Sequence, residues 1–399
     1  MWALWASLLV ALLGRSDALV HQSTTRWSST EVHFDADLDY TTHVVKYRES
    51  QGGGWEIGFG ESAYVAMRDD VGRTDGFERA IRERLETSRR GAVVLDLGTG
   101  PFALLALMAA RHGARKVYAI EGDAAAARAA REVVRREVAA GRVRAGQVEV
   151  VEGVSTEVSL PERVDLIVSE IAGSIATEEG LRPTLEDAAA RFARRPEESA
   201  SWIPTAFATF AAPASYAPHV LAPDLDWRPV ASAAPMRCSC RDVAVQLLAP
   251  PQPLEFVECR ALGDGRSGWK EGPTVSFDVD VGRAGAIEKD VASALAPGGD
   301  LHPFTLGQDP ARLARDVASH VSGLAMWPCL YLDDCGDVVV RARGPSGEPM
   351  LSSWQTAVAL GPRAARVSDG TRIGARLDSY DAAGRLVAAP QYRLHMRWS

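Results

Sequence analysis

The stretch from residue 93 to 121, VVLDLGTGPFALLALMAARHGARKVYAIE, decides the fold of this chain. It begins with an apolar run typical of a buried strand, turns at GTG, and continues as an apolar helical pattern that Gly113 ends. It closes with a second short strand, KVYAIE. Two strands joined through a helix predict parallel pairing, because parallel strands need a long crossover connection. Ligands of such a sheet lie at the carboxyl ends of its strands.

The same alternation continues on both sides of this stretch. A helical pattern comes before it at GFERAIRERLETSR (76–89), and a second follows it at DAAAARAAREVVRREVAAG (123–141). Two more strands are predicted at VEVVEG (148–153) and VDLIVSE (164–170). We therefore predict an α/β domain with a doubly wound parallel sheet over residues 76–204.

The character of the sequence changes near Pro204. From residue 205 to 399, short apolar runs such as VSFDVDV (275–281) and LAMWPCLYL (324–332) are separated by Pro, Gly and Asp. Repeated short strands with turn signals predict a second, all-β domain of barrel-like form. Residues 211–253 are rich in Ala and Pro and predict no definite element.

The first 18 residues form an apolar stretch that ends in Ser16, Asp17 and Ala18, a pattern typical of a signal peptide. An uncleaved anchor is the alternative. The Ser- and Thr-rich composition that follows also suits an organelle transit peptide, so secretion and plastid import both stay open. We treat residues 19–75 as an N-terminal segment distinct from the sheet domain.

Charge and cysteine content exclude some classes of function. The chain carries 44 basic and 52 acidic residues, a net charge of −8, which argues against a nucleic-acid-binding surface. Its five cysteines are scattered, without a CxxC pair or a neighbouring histidine, so neither a disulfide framework nor a metal site is predicted. Apart from the N-terminal signal, no membrane interaction is expected.

The turn after the first strand has features of a nucleotide site. Gly98 and Gly100 allow a ligand to approach the backbone, although Phe102 and Ala103 stand where a dinucleotide fingerprint has its third glycine. Glu121 ends the next strand, where a carboxylate can accept hydrogen bonds from ribose hydroxyls. A tight turn without a ligand is the alternative, but the two features together favour a nucleoside-containing cofactor.

The segments VLDLGTGPFALLALMAARHGARKVYAIE, VVEGVSTEVSLPERVDLIVSE and IAGSIATEEG resemble, in order and spacing, successive motifs of the protein arginine methyltransferases. WIPTAFATF (202–210) and SSWQTAVAL (352–360) are similar to the segments that lead into, and line, that family's β-barrel. The resemblance implies a Rossmann-like cofactor domain, S-adenosylmethionine as cofactor, and an arginine-containing protein or peptide as substrate. It also implies that part of residues 19–75 covers the cofactor.

The resemblance assigns a cofactor-binding role to Met67, Arg73, Asp96, Gly98, Gly100, Glu121, Ser155 and Thr156. Among these, Arg73 would pair with the methionyl carboxylate of the cofactor, Glu121 would hold the ribose, and Ser155 would border the adenine. From the sequence alone, Arg73 could instead form a surface ion pair with Asp69 or Asp70.

Glu170 and Glu179 match the paired glutamates that grip the substrate guanidinium in this family. A guanidinium is planar, permanently charged and rich in donors, so two carboxylates can hold it bidentately and aim one nitrogen at the cofactor. Glu178 is interpreted as a solvated acid at the start of a helix.

Two departures from the family pattern keep other functions open. Ser353 stands where the family usually has a histidine before Trp354, and Tyr64 is the one recognisable trace of a tyrosine-rich covering helix. The alternatives are a small-molecule N- or O-methyltransferase, a cofactor-binding protein without catalysis, and, less favoured, a nicotinamide dehydrogenase. The family's dimerisation arm is not recognisable, which leaves a homodimer open, with residues 211–253 as the segment that could hold the arm.

Overall fold

The computed structural model describes residues 31–35, 46–49, 55–58, 61–87, 91–228, 230, 235–262, 268–305, 307–381 and 391–398. The signal peptide expected in residues 1–18 lies outside these ranges. Within them, no helix combines the length and the apolar character needed to span a membrane.

Three short strands and two helices come before the central sheet. They are β1 (Glu31–Asp35), β2 (Lys46–Glu49), β3 (Trp55–Gly58), α1 (Glu61–Asp69) and α2 (Val71–Thr87). Strands β2 and β3 pair with each other, whereas β1 pairs with the last strand of the chain. Helix α2 contacts the central sheet, and its residues Phe77 and Ile81 are fully buried.

The central sheet is parallel, as the sequence predicted. Its elements are β4 (Val93–Leu97), α3 (Leu104–Arg111), β5 (Lys116–Glu121), α4 (Ala124–Ala139), β6 (Val148–Glu152), β7 (Leu166–Ser169), α5 (Leu181–Arg191) and β8 (Trp202–Ile203). The strand order is β6-β5-β4-β7-β8, and each neighbouring pair is parallel. The reversal of strand order beside β4 creates a crevice at the carboxyl edge of the sheet.

Local chemistry explains where two of these elements begin and end. Helix α4 starts after Asp123, whose carboxylate accepts the backbone N–H groups of Ala125 and Ala126, both at 2.8 Å. Strand β4 is apolar and buried at every position, except that its fourth residue is Asp96. A buried acid in a parallel strand needs hydrogen-bond partners, and its partners are described with the site below.

The second half of the chain is mainly antiparallel. Its elements are β9 (Ala206–Tyr216), α6 (Ala217–Leu221), β10 (Met236–Ser239), β11 (Val245–Leu247), β12 (Gln252–Glu258), β13 (Gly268–Lys270), β14 (Val275–Asp278), α7 (Ala284–Leu295), α8 (Pro310–Ala318), β15 (His320–Tyr331), β16 (Val339–Arg341), β17 (Gln355–Arg366), β18 (Arg372–Asp381) and β19 (Gln391–Trp398).

These strands form two sheets that make a half-barrel. The larger has the order β10-β17-β15-β9-β11, with β12 added on β9 and β16 on β15. The smaller has the order β1-β19-β18-β13, with β14 added on β18. A closed barrel is not confirmed by the described strands, and helices α7 and α8 between β14 and β15 were not expected in an all-β domain.

The two halves of the chain meet at the loop that follows β7. The backbone N–H of Ala176 donates to the Thr209 hydroxyl at 2.9 Å, and the Thr177 hydroxyl donates to Glu255 at 2.8 Å. Thr209 lies on β9 and Glu255 on β12, so this loop from the parallel sheet rests on the larger antiparallel sheet. The sequence-based division between residues 204 and 205 stays a prediction.

Candidate active site

A cleft of about 270 Å³ opens at the carboxyl ends of β4, β5 and β7. It lies where the strand order reverses, which is the position expected for a ligand of such a sheet. Nine of the ten residues expected in the site line it, namely Met67, Arg73, Gly98, Gly100, Glu121, Ser155, Thr156, Glu170 and Glu179. The structure thus brings both expected groups of residues to one cleft, while their individual roles stay predictions.

The glycine turn forms one wall of the cleft. Gly98 and Gly100 have φ angles of +78° and +65°, a region that side chains rarely adopt. A Cβ atom on Gly98 would lie 3.1 Å from Ile171. The backbone N–H groups of Gly98 and Thr99 both donate to the Ile120 carbonyl, at 3.0 and 2.9 Å. The turn is therefore fixed against β5, with its backbone facing the cleft.

Glu121 lies at the end of β5, with both carboxylate oxygens held by backbone groups. One oxygen accepts the N–H of Gly100 and the other accepts the N–H of Asp123, both at 2.8 Å. Burial raises the pKa of this carboxyl, and the backbone hydrogen bonds oppose that effect. The side chain is thus fixed between the glycine turn and the start of α4, where it still lines the cleft.

Asp96 does not line the cleft, in contrast to the expectation that it contacts the cofactor. Its side chain is fully buried, and one oxygen accepts the Thr99 hydroxyl at 2.5 Å and the Ala106 N–H at 2.9 Å. Burial raises its pKa to about 6. Because its partners belong to the glycine turn and to α3, Asp96 stabilises the turn through hydrogen bonds without lining the cleft.

Arg73 lies on α2 and reaches across the cleft to Glu170. Its Nε donates to a Glu170 oxygen at 2.9 Å, and its Nη2 donates to the same oxygen. Its Nη1 donates to the Met67 carbonyl at 3.1 Å. Both charged side chains are almost fully buried. The alternative of a surface ion pair with Asp69 or Asp70 is wrong, because the buried Arg73 side chain pairs with Glu170 and Asp69 pairs with Arg68.

The acidic loop, residues 170–180, brings three glutamates to the cleft. Glu179 lines it, and burial raises the pKa of its carboxyl well above the usual range. The negative charges of Glu170 and Glu178 add to this effect, while Arg237 and Arg73 oppose it. Burial and like charge therefore favour the protonated form of Glu179, and a cation that arrives beside it favours the ionised form.

Glu178 is not a solvated acid, so that interpretation of the sequence is wrong. It is 8% exposed, and one of its oxygens accepts the Ser174 N–H at 2.5 Å. The other oxygen accepts from the guanidinium of Arg237 on β10. The acidic loop is consequently closed on itself and tied to the antiparallel sheet.

The segment around Trp354 forms the opposite side of the cleft. The Trp354 indole N–H donates to the Ala172 carbonyl at 2.7 Å, and the Ser353 N–H donates to Asp70 at 2.7 Å. The segment therefore contacts both the acidic loop and the residue between α1 and α2. Ser353 occupies the expected position on the cleft, although it lacks the imidazole of the family pattern.

Ser155 and Thr156 follow β6 at the far end of the cleft. The Ser155 carbonyl accepts from the guanidinium of Arg191, and Arg191 also donates to the Val158 carbonyl at 2.6 Å. These contacts attach the turn after β6 to helix α5. The turn lines the cleft beside Glu121, on the side that the resemblance assigns to the adenine.

Sequence reasoning missed Arg237, which lines the cleft from β10. It lies in residues 211–253, where the composition predicted no element. The alternation MRCS gave the weak strand signal that was available, but no sequence pattern indicates that a guanidinium from this strand reaches an acid on another domain.

A separate acidic turn lies away from the cleft. Ligand atoms of Asp333, Cys335 and Asp337 lie within 4.8 Å of one another. The Asp333 carboxylate already accepts the backbone N–H groups of Gly336, Asp337 and Val338. We assign no metal to this turn, because those hydrogen bonds explain its shape.

Comparisons with known proteins agree with this architecture. The family model described as ribosomal protein L11 methyltransferase (PrmA) matches residues 80–181. Protein arginine N-methyltransferase PRMT10 of Oryza sativa subsp. japonica is 40% identical over 115 residues, which are 29% of this chain and 28% of the relative. Probable histone-arginine methyltransferase 1.4 of Arabidopsis thaliana is 32% identical over 126 residues, 32% of this chain and 22% of the relative. The matched segment thus covers less than a third of these relatives.

Solved structures extend the likeness to most of the chain. One is the Trypanosoma brucei PRMT1 enzyme-prozyme heterotetrameric complex with AdoHcy, and another is an open conformation of Arabidopsis thaliana protein arginine methyltransferase 10. Each superposes with a TM-score of 0.54 and 17% identity, covering 84% of this chain and 97% of the other. The chain shares the fold of these structures, in which a Rossmann-like domain is joined to an antiparallel half-barrel. The resemblance to the protein arginine methyltransferases is confirmed in sequence over the cofactor-domain segment and in fold over most of the chain.

Proposed function

We propose that this chain is an S-adenosylmethionine-dependent methyltransferase that transfers a methyl group to a guanidino nitrogen of arginine in proteins. The observation that carries the proposal is the meeting of Glu170 and Glu179 with the glycine turn in one cleft. Two acids beside a nucleotide-type turn are costly to the fold, because Glu170 is almost fully buried against Arg73 and burial raises the pKa of Glu179.

The residues that line the cleft fit S-adenosylmethionine. The backbone at Gly98 and Gly100 can be approached closely, Glu121 offers carboxylate oxygens for hydroxyl groups, and Arg73 offers a guanidinium for a carboxylate. When bound, this cofactor supplies an electrophilic methyl group on a sulfonium. Arg73 already touches Glu170, so it is placed to link the cofactor end of the cleft to the acidic loop.

Glu170 and Glu179 would orient the substrate guanidinium. Two carboxylates on one side of a planar cation hold it by charge-assisted hydrogen bonds and leave one nitrogen facing the methyl donor. Methyl transfer is a displacement that gains chiefly from this alignment. Because the Glu170 side chain is almost fully buried, its charge would also act more strongly on the attacking nitrogen than it would in solution.

The raised pKa of Glu179 gives that residue a second task. Arrival of the substrate cation favours the ionised carboxylate, which opposes the effect of burial on its pKa. After the nitrogen has gained the methyl group it must release one proton to become a methylated guanidinium. A carboxylate with a raised pKa in contact with that nitrogen is well suited to accept it.

The test is incubation of the full chain with radiolabelled S-adenosylmethionine and arginine-rich peptides, followed by amino-acid analysis. We expect label on arginine. Glu170→Gln and Glu179→Gln should each lower turnover by at least a hundredfold while leaving cofactor affinity within a few fold, because neither side chain is assigned to the cofactor. Glu132→Gln, on the exposed face of α4, is the matched control and should behave as wild type.

The same experiment separates the alternatives. Label found only in small molecules would favour a small-molecule methyltransferase, and cofactor binding without any transfer would favour a non-catalytic protein. The serine at position 353 favours these two alternatives, because a step that relies on the family histidine has no counterpart here. If cofactor affinity fell as much as turnover in Glu170→Gln and Glu179→Gln, the role given to these two residues would be contradicted.

A further inference from the structure

A buried cation from the antiparallel sheet completes the charge arrangement of the cleft. Arg237 lies on β10, where it pairs in register with Ala357 of β17. Its side chain is 4% exposed and forms an ion pair with Glu178, whose side chain is 11% exposed. Both residues line the same cleft as Glu170 and Glu179.

We propose that Arg237 is a positioning residue of the active site, which fixes the acidic loop through Glu178 and places a positive charge that keeps Glu179 ready to receive a guanidinium. The proposal rests on the function proposed above and concerns the same cleft. It assigns Arg237 no contact with the substrate or the cofactor.

The first argument is the geometry of the acidic loop. The Glu178 carboxylate bridges the loop, since one oxygen accepts the Ser174 N–H and the other accepts from Arg237. Gly173 lies directly under this side chain, and a Cβ atom there would be 2.2 Å from the Glu178 Cγ. Glu178 thus has little freedom to move, and the position of the adjacent Glu179 depends on it.

The second argument is the charge balance around Glu179. Glu170 and Glu178 face it from its own loop, while Arg73 faces it from α2 and Arg237 from β10. Of the two cations, Arg237 acts on Glu179 more strongly, and both lower the pKa that burial and the two acids raise. Without Arg237, one of the two positive charges that oppose Glu170 and Glu178 would be lost, and the cost of ionising Glu179 would increase.

The third argument concerns competition for the acids. Arg237 is itself a guanidinium inside a cleft proposed to bind one. One of its guanidinium nitrogens donates to Glu178, which directs this cation to the acid beside Glu179. Glu178 is therefore expected to serve the substrate site indirectly, by holding Arg237.

The test compares Arg237→Gln, Arg237→Lys, Glu178→Gln and the double variant that carries both Gln substitutions. Methyl transfer to an arginine-rich peptide is measured from pH 5 to 9 at saturating cofactor. Arg237→Gln should move the acidic limb of the profile upward by about one pH unit, because a buried positive charge is lost. Glu178→Gln should move the limb downward and raise the KM for peptide, while Arg237→Lys and the double variant should lie near wild type.

Arg343→Gln is the matched control for loss of a buried arginine. Arg343 is 2% exposed, donates to the Gly347 carbonyl and the Thr356 hydroxyl, and does not line the cleft. It should lower thermal stability without moving the pH profile. A merely structural Arg237 would behave in the same way, and that result would overturn the proposal.

A second measurement keeps this inference separate from the proposed function. Carboxyl ¹³C NMR of glutamate-labelled protein, with Glu179→Gln used to assign the signal, follows the ionisation of Glu179 without substrate. Arg237→Gln should raise the titration midpoint and Glu178→Gln should lower it. Shifted midpoints with no methyl transfer in the wild type would reject the proposed function alone, whereas transfer with unshifted midpoints would reject the role of Arg237.

Discussion

Among single residues, Glu121 offers a direct test of the cofactor end of the cleft. Its two oxygens accept the N–H groups of Gly100 and Asp123. In Glu121→Gln, an NH₂ donor replaces one of the two acceptor oxygens. This donor faces a backbone N–H, and the side chain has one acceptor fewer for a ribose hydroxyl. We expect the Kd for S-adenosylmethionine to rise about tenfold, or about 1.4 kcal/mol, measured by isothermal titration calorimetry.

The control for this change is Glu152→Gln. Glu152 ends the neighbouring strand β6 and forms a half-exposed ion pair with Arg131 at 2.7 Å. Exposed pairs contribute little to stability, and Glu152 does not line the cleft, so affinity should stay unchanged. Equal loss of affinity in both variants would show that the effect is structural.

The pKa of Asp96 makes a prediction about stability and pH. Burial raises it to about 6 from 3.8, so the folded protein binds this proton more tightly than the unfolded chain does. Ionised Asp96 therefore opposes folding above pH 6, and this cost is relieved as pH falls from about 6 to about 4. The shift corresponds to a free energy on the order of 3 kcal/mol.

Asp96→Asn removes this titration while keeping an oxygen for Thr99 and Ala106. When the pH is lowered from 7 to 4, the unfolding free energy of the wild type should increase relative to that of Asp96→Asn. Urea denaturation at several pH values measures it. A difference that stays constant over this range would mean that Asp96 does not titrate in the fold.

At this scale the sequence predicted which residues meet, but not how their charges pair. The glycine turn and Glu121 follow from strand ends in a parallel sheet, so their proximity was predictable. The buried state of Glu178 was not, because an acid before a helix is ordinarily solvated. Its partner Arg237 lies 59 positions further along the chain, beyond the reach of any local pattern.

Among the elements, the acidic loop depends on one close approach. Gly173 has no room for a side chain, because a Cβ would lie 2.2 Å from Cγ and 2.4 Å from Oε1 of Glu178. In Gly173→Ala the Glu178 carboxylate must move away from Arg237 and the Ser174 N–H. We expect turnover to fall at least tenfold with cofactor affinity retained, measured by methyl transfer and by calorimetry.

Gly374→Ala provides the comparison for this variant. Gly374 lies in β18, and the atoms nearest to a Cβ added there are carbonyl oxygens 3.9 Å away. Both substitutions reduce backbone freedom of the unfolded chain, but only the first displaces a charged side chain. If Gly173→Ala transferred methyl groups as well as Gly374→Ala does, the loop would be more tolerant than its packing indicates.

The parallel elements were predictable and several of the antiparallel ones were not, for a physical reason. Strands β4, β5, β6 and β7 are short apolar runs bounded by glycine turns and amphipathic helices, so local sequence determines them. The residues of strand β10 range from buried to exposed, and the strand is defined by its pairing with β17, more than a hundred positions away. The helices α7 and α8 lie among strand-like runs, where composition alone favoured β structure.

In the whole molecule, a buried polar network joins the acidic loop to both antiparallel sheets. Glu255 accepts the hydroxyls of Thr177 and Thr209, at 2.8 and 2.9 Å. The Tyr392 hydroxyl of β19 lies 2.9 Å from the Thr177 hydroxyl, and the Thr209 hydroxyl also accepts the Ala176 N–H. Because a buried network must be satisfied throughout, loss of one member leaves several groups unpaired.

Thr209→Val keeps the shape of the side chain but removes its hydroxyl. The Ala176 N–H then loses its acceptor and Glu255 loses a donor, so unfolding free energy should fall by about 1 to 3 kcal/mol in urea denaturation. Thr371→Val is the control, since Thr371 accepts the Ser368 N–H in an exposed turn. A loss no larger than that of the control would show that water replaces the hydroxyl in the network.

The contact between Ser353 and Asp70 spans 283 positions of the chain, and Trp354 reaches back 182 positions to Ala172. Closing such long segments costs conformational entropy, and the contacts that offset this cost form late in folding. During synthesis the parallel sheet can therefore form while the acids beside it still lie open to water. The wall formed by Ser353 and Trp354 can be added only after that segment has left the ribosome, so a chain that stops before it lacks the donors to Asp70 and Ala172.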